Sequence, residues 1–404
     1  MTMAGAQNSK RWFILAIGVL AQACFAIAFA GIPVAGVLMR EQYHFSTEEL
    51  GLILGSMGLG VAFSEIVWGM LTDKFGDKVV LLIGLFGMGT VFLILGIFFG
   101  PNASSSDRTI PIALLLVAAG FIGGSINSSS GRAVMTWFQD HERGLAMSIR
   151  QTAIPVGGAL GSFLVPMAAS YGGFAHAYLL LTLLFYVTVA AVYFGLPSKE
   201  HAQHGQSSAP AGVSPLLRWD VWRVALVSGL LTVPQFSVLT FGTIYLHDAR
   251  LLSYKLSAAI LIIIQLGGAV LRIYMGRYTD KRKNRPATIL LISIIAAISA
   301  FILAAMANQE IITVVCLLII VGLAGHAWHG IAYTEAAVLA GVSRAGTALG
   351  MVGMTVFVAA FLTPIAIPYL LHFGSWSLVW SGVGLASAFG VVLISPIFGK
   401  RKHP

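Results

Sequence analysis

The chain has 404 residues, of which 57% are hydrophobic and only 10% are charged, and its net charge is +9. A soluble domain of this length has too little interior to bury so much apolar surface, so the composition excludes an ordinary soluble protein. The positive net charge still allows a nucleic-acid-binding protein until the charges are placed along the chain.

Twelve apolar segments of about 20 or more residues follow one another, and each is long enough to cross a hydrocarbon core of about 30 Å as a helix. Their length and their lack of alternating polarity favour helices over the strands of a membrane barrel. The first segment is too long for a cleaved signal peptide and is interpreted as a mature membrane helix. The predicted helices 1 to 12 cover residues 12–38, 48–71, 79–100, 110–138, 144–170, 175–196, 220–247, 256–279, 287–306, 310–339, 346–371 and 376–398.

The basic residues are distributed asymmetrically between the two sides of this arrangement. With the N-terminus in the cytoplasm, fifteen Lys and Arg residues fall on the cytoplasmic side and four on the other. This bias predicts a multi-pass protein of the cell (inner) membrane with both termini cytoplasmic, and it leaves no reason to expect a nucleic-acid partner. The cytoplasmic set is Lys10, Arg11, Lys74, Lys78, Arg143, Lys199, Arg218, Lys281, Arg282, Lys283, Arg285, Arg344, Lys400, Arg401 and Lys402, and the outer set is Arg40, Arg108, Arg250 and Lys255.

One long polar segment, "PSKEHAQHGQSSAPAGVSP", interrupts the series between Pro197 and Pro215. Its Ser, Gly, Pro and His content is typical of a flexible linker. The sequence therefore predicts an N-terminal six-helix bundle at 1–196, a cytoplasmic linker at 197–218 and a C-terminal six-helix bundle at 219–404. The predicted fold class is an all-α polytopic membrane protein with two pseudo-symmetric six-helix bundles.

The two halves repeat in sequence. "GMLTDKFGDK" (69–78) ends predicted helix 2, "GRYTDKRKNR" (276–285) ends predicted helix 8, and both contain G-x-x-T-D-K. In each copy the glycine permits close approach of another helix, and the Asp lies where it can meet helix N-termini and basic side chains. A weaker repeat pairs "ERGLAMSI" (142–149) with "SRAGTALGM" (343–351), and both open a helix after a short turn.

Six plus six helices, a polar central linker and a G-x-L-x-D-K-x-G-x-K loop after helix 2 resemble the major facilitator superfamily. The resemblance implies two bundles that rock around a central site and expose it to each side in turn, as in other repeat-built transporters. Such a transporter can form its pathway as a monomer. In the second copy, Arg282 and Lys283 replace the Phe–Gly pair of the loop. The residues of this conformational motif are Gly69, Asp73, Lys74, Gly76, Gly276 and Asp280, and the two aspartates are expected to stabilise the outward-open state.

Several charged residues fall inside predicted helices, where a charge is costly and usually marks function. Glu65 lies four residues before Gly69 and Arg272 lies four before Gly276, so they occupy equivalent positions with opposite charges. Each is about 12 Å from its loop Asp along the helix axis, which is near the middle of the bilayer. The full set is Glu65, Arg132, Arg150, Arg272 and Glu335.

The pattern R-x-x-x-G before the loop Asp is similar to helix 8 of oxalate–formate antiporters and monocarboxylate transporters. This resemblance implies that Arg272 binds a substrate carboxylate, which a guanidinium can grip through two parallel hydrogen bonds. The alternative is an ion pair of Arg272 with Glu65 or Glu335 that closes the cytoplasmic gate, and the two roles can alternate. Gln265, seven residues before Arg272, lies on the same helix face and is a candidate for the cavity lining.

Arg132 and Arg150 lie about 9 Å inside the cytoplasmic ends of predicted helices 4 and 5. Each arginine is expected either to pair with Glu65 or Glu335 in an inside gate or to form a second anion contact. The gate is favoured for Arg132, and both roles are open for Arg150. Glu65 and Glu335 are candidates for carrying a coupled proton, and the alternative for both is a permanently ionised salt-bridge partner.

Predicted helix 10 carries "GHAWHGIAY" (325–333), in which His326, His329 and Tyr333 lie on one face. His329 aligns with Asn127 of predicted helix 4 when the two halves are superposed. Both are therefore expected to line a cavity at one depth, as substrate contacts or a proton relay, with packed helix contacts as the alternative. No metal site is expected, because no nearby Cys, Asp or Glu shares the face of the histidines.

These features predict a secondary active transporter of a small organic anion, a carboxylate by the resemblance, driven by a proton or by a counter-substrate, with no cofactor. The alternatives are an amino-acid (zwitterion) transporter and a drug or siderophore efflux transporter of the same superfamily. An enzyme is not expected, because the chain has neither H-E-x-x-H nor G-x-S-x-G. A receptor would be expected to carry a longer soluble segment. The predicted substrate contacts are Arg272, His326, His329, Asn127, Gln265 and Arg150.

Overall fold

The computed structural model describes residues 3–101, 108–197 and 213–395. The regular elements in this part of the chain are all helical. Short 3₁₀ turns occur at Pro215–Leu217 and Val342–Arg344, and a π-helical turn occurs at Tyr245–Ala249. The α-helices are α1 (Met3–Val34), α2 (Gly36–Tyr43), α3 (Thr47–Phe75), α4 (Asp77–Phe98), α5 (Thr109–Trp137), α6 (Arg143–Gly195), α7 (Trp219–Ile244), α8 (Tyr254–Arg282), α9 (Arg285–Ala305), α10 (Ile311–Ala327), α11 (His329–Ala340), α12 (Ala345–Phe373) and α13 (Trp376–Ile394).

Eleven helical stretches of the described chain are long and apolar enough to cross a membrane. The longest, α6, has 53 residues and contains non-helical backbone at Gly172 (φ −143°, ψ 25°) and Gly173 (φ 77°, ψ 174°). It therefore comprises two membrane helices, the predicted segments 144–170 and 175–196. The chain is an all-α multi-pass membrane protein, and the predicted fold class is confirmed.

The bend in α6 is held by a side chain from α2. Gln42 donates from Nε2 to the carbonyl oxygen of Ala169 at 2.9 Å, and its Oε1 accepts from the N–H of Phe174 at 2.8 Å. One amide thus satisfies a carbonyl at the end of one helix and an N–H at the start of the next. The sequence did not predict α2 as a separate helix, because Gly36–Tyr43 starts inside the segment assigned to predicted helix 1.

Two other boundaries differ from the prediction. Predicted helix 10 (310–339) is divided at Trp328 into α10 and α11. Residues 198–212 of the predicted linker lie outside the described part of the chain, and its last residues form the 3₁₀ turn before α7.

The helices that carry Glu65 and Arg272 both begin at a serine cap. At α3, the Ser46 hydroxyl accepts from the N–H of Glu49 at 3.2 Å, and the Glu49 carboxylate accepts from the N–H of Ser46 at 2.8 Å. At α8, the Ser253 hydroxyl accepts from the N–H of Leu256 at 3.3 Å. Side chains of this kind satisfy N–H groups that have no partner within the helix, and they fix where the helix starts.

Contacts within the chain define two compact units. Residues 139–149, at the start of α6, group with the second unit, and residues 340–354, around the start of α12, group with the first. Of the described residues, unit 1 comprises those in Met1–Phe138, Arg150–Pro215 and Ala340–Met354, and unit 2 comprises those in Gln139–Ile149, Leu216–Leu339 and Thr355–Pro404.

Candidate functional site

In unit 1, the carboxylate of Asp73 at the end of α3 is bound by the first residues of α12. It accepts hydrogen bonds from the N–H of Gly346 (2.8 Å) and from both the N–H (2.7 Å) and the hydroxyl (2.6 Å) of Thr347. Nε of Arg132 lies 3.3 Å from the same carboxylate. A helix N-terminus carries partial positive charge and exposed N–H groups, so it is a suitable partner for a carboxylate. The predicted contact of the motif Asp with a helix N-terminus and a basic side chain is confirmed.

In unit 2, Asp280 at the end of α8 makes the equivalent contact with the start of α6. Its carboxylate accepts from the N–H of Gly144 (2.9 Å) and of Leu145 (2.8 Å), and Arg285 lies 3.2 Å away. The two weakly repeated segments of the sequence are therefore the two helix starts that bind the repeated aspartates.

Glycines permit both contacts. A Cβ atom on Gly69 would overlap the carbonyl oxygen of Gly346, and a Cβ atom on Gly276 would overlap the carbonyl oxygen of Gly144. The first glycine of each motif copy is thus required by the approach of another backbone.

The turn after each aspartate differs between the copies. Gly76 (φ 91°, ψ 165°) and Lys283 (φ 52°, ψ 34°) occupy the same motif position, and each donates its N–H to the threonine carbonyl four residues earlier, at 2.9 and 2.8 Å. The conformation of Gly76 is essentially restricted to glycine. Lys283 instead takes the left-handed helical conformation, which strains an L-residue. The second loop therefore ends its helix with the same hydrogen bond but different backbone geometry.

Arg132 corrects one prediction. Its guanidinium pairs with Asp73 and with Asp77 at the start of α4, where Nη1 and Oδ1 are 2.5 Å apart. The predicted partners were the intramembrane glutamates, and the arginine instead extends to the two carboxylates of the motif loop. Lys74 of the same loop is exposed, with Nζ 5.2 Å from the centroid of the Phe75 ring.

The centre of unit 1 contains an acid and a base joined through one amide. The Glu65 carboxylate is completely buried and accepts from Nδ2 of Asn127 at 3.1 and 3.3 Å. Oδ1 of the same amide accepts from Nη2 of Arg150 at 2.7 Å. Arg150 also donates to Oε1 of Gln22 and to the hydroxyl of Ser130, both at 3.0 Å. These bonds involve an ionised group and are of the stronger kind.

Residues near the start of α12 cover this acid. A Cβ atom on Gly353 would lie 2.5 Å from the Glu65 carboxylate and 2.9 Å from Nδ2 of Asn127, and a Cβ atom on Gly350 would overlap the Glu65 carbonyl oxygen. Together with Gly346, these glycines lie on one face of α12. The sequence analysis missed this surface, although the spacing of glycines at positions 346, 350 and 353 was a usable signal.

The centre of unit 2 contains Arg272 and the two histidines of the α10–α11 break. The Arg272 side chain is 1% exposed. It donates from Nε to the carbonyl oxygen of His326 (3.1 Å), and from Nη2 to Nδ1 of His326 (2.9 Å) and Nε2 of His329 (3.4 Å). A guanidinium can only donate, so both imidazole nitrogens act as acceptors in these bonds.

Neighbouring residues hold the two rings in place. A Cβ atom on Gly268 would meet the His326 ring at 2.6 Å, so this glycine allows the ring to lie against α8. Nε2 of Gln235 on α7 lies 3.5 Å from Nδ1 of His326. The ring of Trp328 stacks on that of His329 with 3.8 Å between centroids.

His326 has a second ring nitrogen without a described partner. Its Nε2 is buried and makes no hydrogen bond with any residue that the structure describes. In a neutral ring that accepts from Arg272, this second nitrogen carries the hydrogen. A buried donor without an acceptor costs about 1–3 kcal/mol. The arrangement favours a ligand that supplies acceptor oxygens.

The structure distributes the predicted substrate contacts between the two units. Asn127 and Arg150 lie in unit 1 and bond to each other. Gln265 is half-buried on α8 of unit 2, and its Oε1 makes no hydrogen bond within the described chain. Tyr333 and Glu335 are buried on α11, and the tyrosine interacts electrostatically with Arg272. The structure thus brings together Arg272, His326 and His329, with Tyr333 nearby.

Comparisons with known proteins agree with a membrane transporter. The model of the Major Facilitator Superfamily matches residues 18–356. An uncharacterised MFS-type transporter of Mycobacterium tuberculosis is 28% identical over 387 residues, which cover 95% of this chain and 84% of that protein. A probable sulfoacetate transporter of Cupriavidus necator is 25% identical over 389 residues, covering 89% of this chain and 88% of its own.

Solved structures show the same fold. The proton:xylose symporter XylE superposes with a TM-score of 0.74 at 14% identity, over 96% of both chains. The helices, the repeated motif and the buried charges define a polytopic membrane transporter. The chain belongs to the Major Facilitator Superfamily, and it is a transporter rather than an enzyme.

Proposed function

We propose that this transporter moves a small organic anion by alternating access, with a proton or a counter-substrate as the coupled species. The observation that supports this most strongly is the buried guanidinium of Arg272, which two imidazoles hold through their acceptor nitrogens. A planar cationic fork flanked by N–H donors suits the oxygens of a carboxylate, sulfonate or phosphate. The name of the relative from Cupriavidus necator supports the same chemistry, since sulfoacetate carries a sulfonate and a carboxylate.

The other buried charges receive supporting roles in this proposal. Asp73 and Asp280 stabilise the outward-open state by holding the starts of two other helices. Glu65 and Glu335 are the acids available for gating or proton coupling. Asn127 and Arg150 form the polar centre of unit 1, where the Asn127 amide bonds to both Glu65 and Arg150. Gln265 contributes an amide oxygen on the Arg272 helix.

The proposal includes the inner membrane as location, cytoplasmic termini and a functional monomer. The bias of basic residues between alternate loops supports the orientation. A fluorescent protein fused after Pro404 tests it, because the fusion is fluorescent only when the C-terminus is cytoplasmic. A fusion that is exported and dark would reverse the orientation.

Counterflow in vesicles tests the substrate class. Purified protein is reconstituted with unlabelled sulfoacetate inside, and the entry of labelled sulfoacetate is measured. Arg272→Gln should abolish entry, because removing one partner of a buried charged contact costs about 2–5 kcal/mol. Arg277→Gln is the matched control on the same helix, since Arg277 is exposed, and it should transport normally.

Competition separates the alternatives. Small carboxylates and sulfonates should compete with labelled sulfoacetate if the proposal holds. Competition by amino acids alone would favour the zwitterion transporter, and binding of only siderophores or bulky cations would favour efflux. Normal counterflow by the Arg272→Gln variant would remove the arginine from the site.

A further inference from the structure

We propose that the C-terminal part of α8 binds an anionic phospholipid, with Arg277 and Lys281 as the cationic contacts. The ligand is a component of the membrane, so this site is distinct from the one that receives the transported anion. The inference follows from the position of both cations on the surface, from the absence of partners for them in the described chain, and from two neighbouring tyrosines.

A stripe of hydrophobic side chains on α8 leads to the two cations. Its members are each more than half exposed and are spaced by three or four residues, which places them on one side of the helix. Arg277 and Lys281 continue the stripe at the same spacing and are also exposed. In a multi-pass membrane protein, an exposed hydrophobic stripe of this length faces the lipid. The hydrophobic members are Ile263, Leu266, Val270 and Tyr274.

Arg277 lies within the helix, five residues before Arg282, the last residue of α8. This separation is about 7.5 Å along the helix axis. A cation that faces lipid near the end of a membrane helix is stable only when its charged group reaches polar atoms, and arginine does so by laying its methylene stem along the apolar surface. Arg277 therefore needs acceptor oxygens at the level where phospholipid phosphates lie.

Neither cation has an acidic partner in the part of the chain that the structure describes. Their side chains form no hydrogen bond and no ion pair with these residues. Asp280 is the only acid in the sequence of α8, and its carboxylate already accepts from the start of α6 and lies 3.2 Å from Arg285. The N–H groups of both cations are therefore available to a ligand that accepts hydrogen bonds.

Two tyrosines complete the site. The rings of Tyr274 and Tyr278 stack with 6.4 Å between centroids, and neither hydroxyl makes a hydrogen bond with a described residue. Each tyrosine precedes one of the cations by three residues, so ring and cation are neighbours on the helix surface. Tyrosine is enriched at the level of lipid headgroups, and its hydroxyl can donate to a phosphate oxygen. The set offers cations and hydroxyls to a phosphate, with the hydrophobic stripe beside it for an acyl chain.

A second copy of the chain fits this surface less well than a lipid. Two copies with the same orientation in the membrane would place their stripes face to face at equal depth. Arg277 and Lys281 of one copy would then meet those of the other, and like charges repel. A headgroup with a net negative charge instead neutralises them.

The lipid site and the anion cluster lie on different faces of the same helix. Arg277 follows Arg272 by five residues, which turns it by about 140° around the axis of α8. Arg272 is buried, whereas Arg277 is exposed. Loss of the lipid contact therefore leaves the anion cluster unchanged.

Native mass spectrometry of the purified full-length protein tests the inference. The protein is freed of lipid in a neutral detergent and titrated with phosphatidylglycerol or with phosphatidylcholine of the same acyl chains, and bound lipids are counted by mass. Phosphatidylglycerol should bind to its first site at least about fivefold more tightly, because each basic residue near the membrane surface favours an anionic lipid by about that factor. Equal affinities would overturn the inference.

Substitutions locate the site. Arg277→Gln should weaken the binding of phosphatidylglycerol about fivefold, and adding Lys281→Gln should weaken it by a similar factor again. Arg282→Gln is the matched control, because it removes the same charge from an exposed residue on another face of α8. It should change the affinity by less than about twofold, since separated surface charges are screened by salt. Equal losses for Arg277→Gln and Arg282→Gln would mean that the lipid responds only to overall charge, which contradicts a site.

The same spectra distinguish other occupants of this surface. An excess of inorganic phosphate should leave phosphatidylglycerol bound, and its displacement would contradict a site for a lipid. A dimer that excludes phosphatidylglycerol would identify a second copy as the occupant and would likewise overturn the inference. Melting temperatures of the lipid-free variants should match that of the wild type, because the replaced side chains are exposed. None of these measurements depends on transport, so a failure here leaves the proposed function standing.

Discussion

Glu65 and Arg272 occupy equivalent positions in the two repeats, yet the two side chains have different hydrogen-bond partners. In unit 1 the acid is joined to Arg150 through the amide of Asn127, so an acid and a base lie in one hydrogen-bonded network. In unit 2 the arginine is held by the two imidazoles of His326 and His329. The first cluster contains an acid and a base joined by one amide, whereas the described hydrogen bonds of the second join a base to two imidazoles.

The contacts of the two loop aspartates are a part of the repeat that is the same in both halves. Asp73 and Asp280 each bind the N–H groups of two consecutive residues at the start of another helix. The halves therefore agree in the contacts that hold helix ends and differ in the buried clusters around Glu65 and Arg272.

The largest expected effect is the loss of Arg150. Arg150→Met leaves the buried Glu65 without the base of its network and should destabilise the protein by about 3–5 kcal/mol. Arg272→Met should cost less, about 1–3 kcal/mol, because the described acceptors of its hydrogen bonds are two imidazole nitrogens and a carbonyl oxygen. Thermal melting of both purified variants measures the difference.

A second substitution controls this interpretation. Adding Glu65→Gln to Arg150→Met should restore part of the stability, because the uncompensated charge is then removed, and the two positions should be coupled in a double-mutant cycle. Equal losses in the Arg150 and Arg272 variants would show that the two clusters do not differ as described.

The next largest losses of stability are expected at the two loop aspartates. Asp73→Asn and Asp280→Asn should each cost about 1.5–3 kcal/mol, because each loses hydrogen bonds to a charged group. The loss should be larger at Asp73, whose carboxylate also accepts from the hydroxyl of Thr347, whereas Leu145 stands at the matching position of unit 2. Melting temperatures report both losses. In a Thr347→Val background the two should become similar, and a larger loss at Asp280 would contradict the comparison.

Much of the fold could be predicted from the sequence because hydropathy is a local property. The twelve segments, the repeat and the contact of each motif Asp with a helix start all follow from short stretches of residues. The proximity of Arg272 to the histidines also followed in part, because the helix period places His326 and His329 on one face.

The remaining features depend on contacts between distant parts of the chain. Gln42 holds the bend of α6 through Phe174, 132 residues away, and no local pattern indicates such a pair. The partner of Arg132 was predicted wrongly because a long side chain can reach several carboxylates and depth along a helix does not choose among them. Hydropathy detects a membrane segment but not which side chains meet within it.

Gly353 offers a smaller test of the unit 1 cluster. Gly353→Ala places a methyl group against the Glu65 carboxylate and should destabilise by about 1–3 kcal/mol. Gly58→Ala on α3 is the control, because its Cβ atom would meet only Phe29 at 4.0 Å. That variant should be neutral or stabilised by up to about 1 kcal/mol, as alanine favours a helix interior. Similar melting temperatures for the two variants would contradict the close contact between Gly353 of α12 and the Glu65 carboxylate.

The smallest expected effect concerns the turn in which the second repeat departs from the first. Lys283 has φ 52° and ψ 34°, a conformation that costs an L-residue about 1–2 kcal/mol and that glycine adopts freely. Part of this gain is lost to the greater freedom of glycine in the unfolded chain, so Lys283→Gly should stabilise by about 0.5–1 kcal/mol. Lys281→Gly, two residues earlier and also exposed, should instead destabilise by about 1 kcal/mol, because Lys281 is helical. The same substitution should therefore raise the melting temperature at one position and lower it at the other. A decrease at both would show that Lys283 holds its turn without strain.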